Sequence, residues 1–132
     1  MNCPYCGSKT QVTNSRLQKR ANQVWRRRQC TQCTSVFTTL EAVDTAQALA
    51  VQNGKRLEPF QRDKLLLDVY DSLRHRKTAV ADATALIDTI QKQLLPFVDQ
   101  ATLSIETITE VTAVALERFD PIAATHYRAF HH

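Results

Sequence analysis

Two Cys-x-x-Cys pairs near the start of the chain constrain its fold more than any other feature. Cys3 and Cys6 form the first pair, Cys30 and Cys33 form the second, and these are the only cysteines in the sequence. Two intervening residues allow the backbone to fold back so that both sulfurs face one point, and two such turns suit one tetrahedral zinc ion. Because four thiolates leave no open coordination position, this zinc is expected to be structural, one ion per chain, and not catalytic.

Other uses of four cysteines fit this sequence less well. Disulfides are rare in cytosolic proteins, and no apolar signal segment lies between Met1 and Cys3. A redox Cys-x-x-Cys usually lies in a βαβ context and needs no second pair. No apolar run approaches the roughly 20 residues of a membrane span. We therefore expect a cytoplasmic zinc protein without a membrane partner.

Basic charge is concentrated in the segment that carries the cysteines. Residues 1–41 hold seven basic side chains and one acidic side chain, a net charge of +6, whereas the remainder holds ten basic and twelve acidic ones, a net charge of −2. Such asymmetry is typical of proteins that bind nucleic acid. A solvated basic face is the alternative, but it explains three consecutive arginines beside a tryptophan less well.

The arginines Arg26, Arg27 and Arg28 follow Trp25 directly. On a strand, Arg26 and Arg28 share one face while Trp25 and Arg27 share the other. A guanidinium fork pairs with phosphate or reads guanine in the major groove. Arg16, predicted to lie in a polar loop, would extend this surface. Trp25 either stacks on a base or packs within the ribbon, and packing is favoured.

The sequence pattern predicts an α+β protein with two domains. Residues 1–41 form a small all-β zinc ribbon with strands at 9–13, 24–29 and 35–40, and residues 42–47 form a short linker. Residues 48–132 form a mostly helical domain that opens with a β-hairpin turning at Asn53-Gly54. Pro59 is expected to end the second hairpin strand and to occupy the first turn of a helix.

About four helices follow the hairpin. Helical spacing predicts them at residues 60–74, 78–95, from 104 onward, and from 120 to about 130, with Thr78, Ser104 and Asp120 as N-caps. Val80 is among the apolar residues of the second helix that are expected to face the core, and Phe119 is among the apolar residues of the third helix. No nucleophile, acid–base pair or open metal site is recognisable, which argues against an enzyme.

Several short motifs stand out along the chain. They are Cys3-Pro4-Tyr5-Cys6, Asn14-Ser15-Arg16, Arg26-Arg27-Arg28-Gln29-Cys30, Cys33, Phe37-Thr38-Thr39-Leu40-Glu41, Glu58-Pro59-Phe60 and Lys64-Leu65. Together they resemble the NrdR family, bacterial repressors of ribonucleotide reductase genes. The resemblance is most specific in the ribbon, and in the second domain Glu58-Pro59-Phe60 and Lys64-Leu65 resemble the opening of an ATP-cone.

The resemblance implies a repressor that senses adenine nucleotides. ATP or dATP in the cone would shift the homo-oligomeric state and decide whether the ribbons engage paired operator boxes in double-stranded DNA. By matching, the DNA contacts would be Arg16, Arg26, Arg27 and Arg28. The nucleotide site would include Val51, Gln52, Glu58 and Lys64.

This sequence departs from the family pattern at several positions. Asn14 stands where the family usually has Asp, and Trp25 stands where it has a fourth arginine. Gln52 and Asn53 replace a Lys-Arg pair that helps to hold phosphates, and the loss of two cations weakens triphosphate binding. Lys55 and Arg56 are expected to substitute from across the turn. The sequence ends at His132, before the C-terminal extension usual in the family.

Two other functions remain compatible with the sequence. The first is a degenerate paralogue whose cone oligomerises or docks onto a protein partner without sensing nucleotide. The second is an RNA-binding zinc-ribbon protein, because ribbons and arginine patches alone do not distinguish RNA from DNA.

Overall fold

The computed structural model describes residues 1–131, apart from the side chain of Ala46. The chain divides into two compact units, an N-terminal unit of Met1–Asp44 and a C-terminal unit that begins at Thr45. The first is an antiparallel sheet carrying the four cysteines, and the second is mainly helical. The predicted α+β class is confirmed.

The N-terminal unit is a three-stranded antiparallel sheet. Its strands are β1 (Thr10–Gln18), β2 (Gln23–Cys30) and β3 (Val36–Ala42), in the order β1-β2-β3. The pairing of β1 with β2 continues out to Gln18 and Gln23, with an irregularity between Val12 and Asn14. Arg16 therefore lies on a strand, and its predicted position in a loop is wrong. Polar residues extend these strands because neither sheet face has to be uniformly apolar.

The C-terminal unit opens with a short helix, α1 (Thr45–Ala48), in the segment predicted to be a linker. A hairpin follows, formed by β4 (Ala50–Asn53) and β5 (Arg56–Pro59), and Gly54 in its turn has a φ of 62°. Pro59 ends the edge strand β5 instead of starting a helix. A third strand, β6 (Thr102–Ser104), pairs in parallel with β4 to give the order β5-β4-β6.

The longer helices are α2 (Arg62–Leu73), α3 (Ala79–Leu94), α4 (Ile105–Phe119) and α5 (Pro121–Phe130). The predicted caps at Ser104 and Asp120 are confirmed, since both side chains accept hydrogen bonds from backbone N–H groups in the first turn of the helix that follows. Thr78 occupies the N-cap position of α3, but its hydroxyl donates to Asp82 Oδ2 at 2.6 Å instead of capping the backbone. None of the helices within the described residues is both long and apolar enough to span a bilayer.

The apolar core of the C-terminal unit lies between its helices and its small sheet. On α3, the buried stripe comprises Ala79, Ala83, Ile87, Ile90 and Leu94. Val80 lies one position off this stripe and is 68% exposed, so its predicted burial is wrong. Phe119 is 40% exposed at the end of α4, where the Arg76 guanidinium carbon lies 4.8 Å from its ring centroid. The guanidinium therefore lies over a ring that is not part of the buried core.

Candidate metal centre, nucleic-acid face and nucleotide cavity

The four cysteine sulfurs converge on one point in the N-terminal unit. All of them lie within 4.8 Å of one another, with Cys3 Sγ 3.7 Å from Cys33 Sγ and Cys6 Sγ 3.4 Å from Cys30 Sγ. A tetrahedral site with Zn–S bonds of about 2.3 Å needs sulfurs roughly 3.8 Å apart. The sulfur positions therefore fit a single structural zinc ion, as predicted.

Two equivalent backbone turns present these sulfurs. The N–H of Cys3 donates to the Ser8 carbonyl at 2.8 Å, and the N–H of Cys30 donates to the Ser35 carbonyl at 2.9 Å. The fifth residue of each turn has a positive φ, 76° at Gly7 in the first turn and 61° at its counterpart Thr34 in the second. Sequence reasoning anticipated this conformation at Gly7 but not at Thr34, because threonine rarely adopts it.

Hydrogen bonds favour the thiolate form that zinc requires. A hydrogen bond with the Ser8 side chain is the main reason why the pKa of Cys6 is lowered to about 6. The side chain of Ser35, whose Oγ lies 3.1 Å from the Cys33 sulfur, is the main cause that lowers the pKa of Cys33. Backbone N–H groups of Gln32 and Cys33 each approach the Cys30 sulfur at 3.4 Å. The bond from the Cys33 N–H lowers the pKa of Cys30, but burial and the neighbouring thiols of Cys6 and Cys33 raise it overall. These donors offset the negative charge of clustered thiolates.

The strand register divides the ribbon sheet into two faces of different chemistry. We call one of them the Trp25 face and the opposite one the Arg26 face. The Trp25 face carries no acidic residue and consists of Gln11, Asn14, Arg16, Gln18, Gln23, Trp25, Arg27, Gln29, Val36, Thr38, Leu40 and Ala42.

Two of the four predicted DNA-binding arginines lie on the Trp25 face. Arg27 is exposed in the central strand, and its Nη1 donates to Thr38 Oγ1 at 2.9 Å. Arg16 is exposed on β1 directly opposite Trp25, with its guanidinium carbon 5.9 Å from the centroid of the tryptophan ring. Arg16 and Arg27 thus form a positively charged surface around one aromatic side chain.

The other two arginines lie on the Arg26 face and have partners there. Arg26 Nη1 lies 3.0 Å from Glu41 Oε2 in an ion pair, and Arg28 Nε donates to Thr39 Oγ1 at 3.2 Å. Both side chains are half-buried. The predicted alternation of the three arginines is confirmed. The four arginines predicted to contact DNA therefore lie as two pairs on opposite faces of the ribbon sheet.

A cavity of about 490 Å³ lies between the small sheet and helices α2, α4 and α5 of the C-terminal unit. Of the predicted nucleotide-site residues, it is lined by Val51, Glu58 and Lys64. Gln52, Lys55 and Arg56 are not among its described lining residues. Sequence reasoning missed Asp68, one turn after Lys64 on α2. It also missed a set of residues that lie far along the chain from the hairpin: Ile105, Ile108, Thr109, Tyr127, Phe130 and His131.

The cavity carries little positive charge. Lys64 is the only lysine or arginine among its described lining residues, whereas Glu58 and Asp68 are acidic. His131 stacks on Tyr127 with ring centroids 4.1 Å apart, and its Nε2 lies 3.6 Å from Asp68 Oδ2.

The predicted cationic substitutes on the hairpin are engaged elsewhere or exposed. Arg56 Nη2 lies 3.7 Å from Glu58 Oε1, and Lys55 is exposed in the turn. Gln52 donates its side-chain amide to the Gly54 carbonyl at 2.6 Å. Arg56 therefore contacts a lining residue, Glu58, without being among the described lining residues itself.

Comparison with known proteins gives a consistent result across the chain. Residues 1–41 match the family described as "Transcriptional repressor NrdR-like, N-terminal domain". A protein named transcriptional repressor NrdR from Syntrophotalea carbinolica is 33% identical, with 98% of this chain and 85% of the relative aligned. The protein of the same name from Symbiobacterium thermophilum is 34% identical, with 98% of this chain and 89% of the relative aligned. The one from Azorhizobium caulinodans is 36% identical, with 98% of this chain and 78% of the relative aligned. The chain therefore belongs to the NrdR family of transcriptional repressors, which are regulators and not enzymes.

Proposed function

We propose that this chain is a cytoplasmic, zinc-dependent repressor that binds operator boxes of ribonucleotide reductase genes in double-stranded DNA. Its C-terminal unit acts as an ATP-cone in which ATP or dATP changes the homo-oligomeric state and thereby controls DNA binding. The observation that carries the DNA-binding half is the Trp25 face, where Arg16 and Arg27 are exposed on a zinc-held sheet without an acidic neighbour.

The physical basis for DNA binding is electrostatic. Each arginine that neutralises a phosphate releases condensed counterions, so the logarithm of the affinity falls with the logarithm of salt concentration by about 0.9 per contact. Arg27 is available for such a contact because its donors face an exposed surface, whereas Arg26 already pairs with Glu41. We therefore expect Arg16 and Arg27 to contribute more than Arg26 and Arg28.

The test compares Arg27→Ala and Arg26→Ala with the parent for duplex DNA binding across a range of salt concentrations. Arg27→Ala should weaken binding and reduce the salt slope by about one contact, and Arg26→Ala should do less. Lys92→Ala, which removes an exposed charge from α3, is the matched control. If Arg16→Ala and Arg27→Ala both leave affinity and slope unchanged, the arginines form only a solvated surface. Tighter binding to RNA of the same sequence would favour the RNA-binding alternative.

The nucleotide-sensing half of the proposal rests on the cavity of the C-terminal unit. Its volume lies within the roughly 300–1,000 Å³ of small-molecule sites. Val51 supplies an apolar wall, while Glu58 and Lys64 supply polar groups of both signs, as the family resemblance implies. A nucleotide held there would contact the hairpin and α2, as well as α4 and α5.

One observation favours a second candidate for the C-terminal unit, an oligomerisation or protein-interaction module without nucleotide sensing. A triphosphate needs several cationic or backbone N–H partners. The described lining of the cavity offers Lys64 together with the acidic Glu58 and Asp68. Nucleotide titration distinguishes the two candidates, because only the sensor should bind ATP or dATP.

A further inference from the structure

We infer that Trp25 and Leu40 form a base-reading strip that contacts thymine methyl groups in the major groove of the operator DNA. This inference rests on the proposed DNA binding and deepens it. The arginines alone would provide affinity for any duplex, whereas the strip would give this chain a preference for A·T pairs at fixed positions.

The strip crosses two neighbouring strands. Trp25 on β2 pairs directly with Leu40 on β3, and Leu40 is 57% exposed. An exposed leucine beside a half-buried tryptophan is an apolar surface that has no partner within its own sheet. The thymine C5-methyl is the apolar group that the bases present in the major groove, and apolar side chains are its usual contacts.

The surroundings of the strip match duplex DNA in charge and in hydrogen bonding. Asn14 pairs with Arg27 across β1 and β2, next to the pair of Arg16 with Trp25. Arginine binds the O6 and N7 atoms of guanine, and asparagine binds the N6 and N7 atoms of adenine. The face therefore offers phosphate partners, base-edge donors and an apolar strip, without an acidic group to repel the backbone.

The position of Arg16 favours a groove contact over stacking on an unpaired base. Proteins that bind single strands present an open aromatic face on which a base stacks. Here the Arg16 guanidinium lies over the Trp25 ring at 5.9 Å, and the ring is half-buried between its strand neighbours. Trp25 thus presents a partly covered ring whose cross-strand neighbour is the exposed Leu40, and such a surface suits a methyl group better than a base plane.

The chain contains a matched control for this strip. Leu17 lies on β1 opposite Val24, on the Arg26 face, and is 62% exposed. Leu17 and Leu40 are thus exposed leucines of the same sheet that differ in the face they occupy. Replacing each with alanine removes the same side-chain atoms, and only the Leu40 replacement alters the strip.

The experiment uses the full zinc-loaded chain and duplexes that it selects from a randomised pool. Each thymine of the best duplex is replaced in turn by deoxyuridine, which removes the methyl group alone. We expect at least one replacement to weaken binding by the parent about fourfold, the contribution of one buried methyl. The same replacement should have little effect on Leu40→Ala and its full effect on Leu17→Ala.

Zinc content and circular dichroism establish that each variant is folded before binding is measured. If the parent selects duplexes but no methyl deletion weakens binding, or if Leu17→Ala and Leu40→Ala behave alike, the strip does not read thymine while the proposed DNA binding stands. If the parent selects no duplex at all, the proposed function fails and the strip fails with it. Selection of unpaired DNA in preference to duplex would overturn the strip in favour of base stacking.

Discussion

At the scale of single residues, Asp120 connects three parts of the C-terminal unit. Its Oδ1 accepts the backbone N–H groups of Ile122 and Ala123 and so caps α5. Its Oδ2 lies 2.8 Å from His75 Nε2 and 3.2 Å from Arg76 Nη1, in the turn after α2. The His75 contact is the main cause that lowers the pKa of Asp120 to about 2. The charged carboxylate is therefore the form that stabilises the fold.

Replacing Asp120 with asparagine should lower the melting temperature of the helical unit by several degrees at neutral pH. A carboxyl whose folded-state pKa lies below its unfolded value, about 3.9, stabilises the fold above that value. This contribution is lost as the pH falls through the folded-state pKa near 2. Melting followed by circular dichroism should show a parent–variant difference that is constant above about pH 4 and shrinks below it. Asp99→Asn, at an exposed aspartate, serves as the control. A difference that grows on acidification would contradict this account.

At the scale of elements, α3 carries apolar side chains both inside and outside the core. Ile87 is fully buried on its inner stripe, and Val80 is 68% exposed. Ile87→Ala should reduce the free energy of unfolding by about 2–5 kcal/mol, because it removes buried methyl groups and leaves a cavity. Val80→Ala should change it by less than about 0.5 kcal/mol. Urea denaturation of the two variants tests whether Ile87 alone is buried, as in the structure, or whether Val80 is buried as well, as the sequence pattern predicted. Equal losses would mean that Val80 is covered in solution.

Under the proposed function, nucleotide binding depends on the hairpin of β4 and β5 together with Lys64 of α2. Lys64→Ala should weaken binding of ATP or dATP more than Lys92→Ala does, because Lys64 lines the cavity while Lys92 is exposed on α3. Gln52→Lys combined with Asn53→Arg should tighten binding by restoring the family pair of cations. Isothermal titration of these variants and the parent measures both effects. Binding by the restored pair alone, with none by the parent at millimolar nucleotide, would show that this cone has lost its sensor.

Features set by residues close together in the sequence were predictable, whereas those that depend on distant residues were not. The caps at Ser104 and Asp120 and the turn at Gly54 were predictable because their determinants lie within a few residues of one another. β6 was missed because three residues show no periodicity and its partner β4 lies far away along the chain. The metal centre followed from cysteine spacing alone. The distribution of the arginines on two faces followed from strand alternation, but the partners Glu41 and Thr39 required the register.

At the scale of the whole molecule, the two units are stabilised by different means. In the N-terminal unit, only Cys3 and Cys30 are buried, whereas the C-terminal unit has a continuous apolar core. A sheet with so small a core depends on its metal for folding. The C-terminal unit is stabilised by that core, and its described residues hold no comparable ligand cluster.

Removal of zinc should therefore unfold the N-terminal unit and leave the helices intact. Trp25 is the only tryptophan, so its fluorescence reports the ribbon alone, while the helical signal in far-ultraviolet circular dichroism reports the C-terminal unit. A chelator, or Cys30→Ser, should shift the tryptophan emission to longer wavelength with little loss of helical signal. Ser15→Ala, at an exposed β1 residue, should retain one zinc per chain. A metal-free Cys30→Ser protein with unchanged emission would contradict a structural role for zinc.

The parallel pairing of β4 with β6 has a consequence for how the chain folds as it leaves the ribosome. Its partners Ala50 and Thr102 lie about fifty residues apart, whereas the ribbon strands pair with their immediate neighbours along the chain. Because synthesis proceeds from the N-terminus, all the ribbon strands are available for pairing before β6 has been synthesised. The small sheet can close only after β6 has been synthesised. We therefore expect metal acquisition by the ribbon to precede closure of the small sheet.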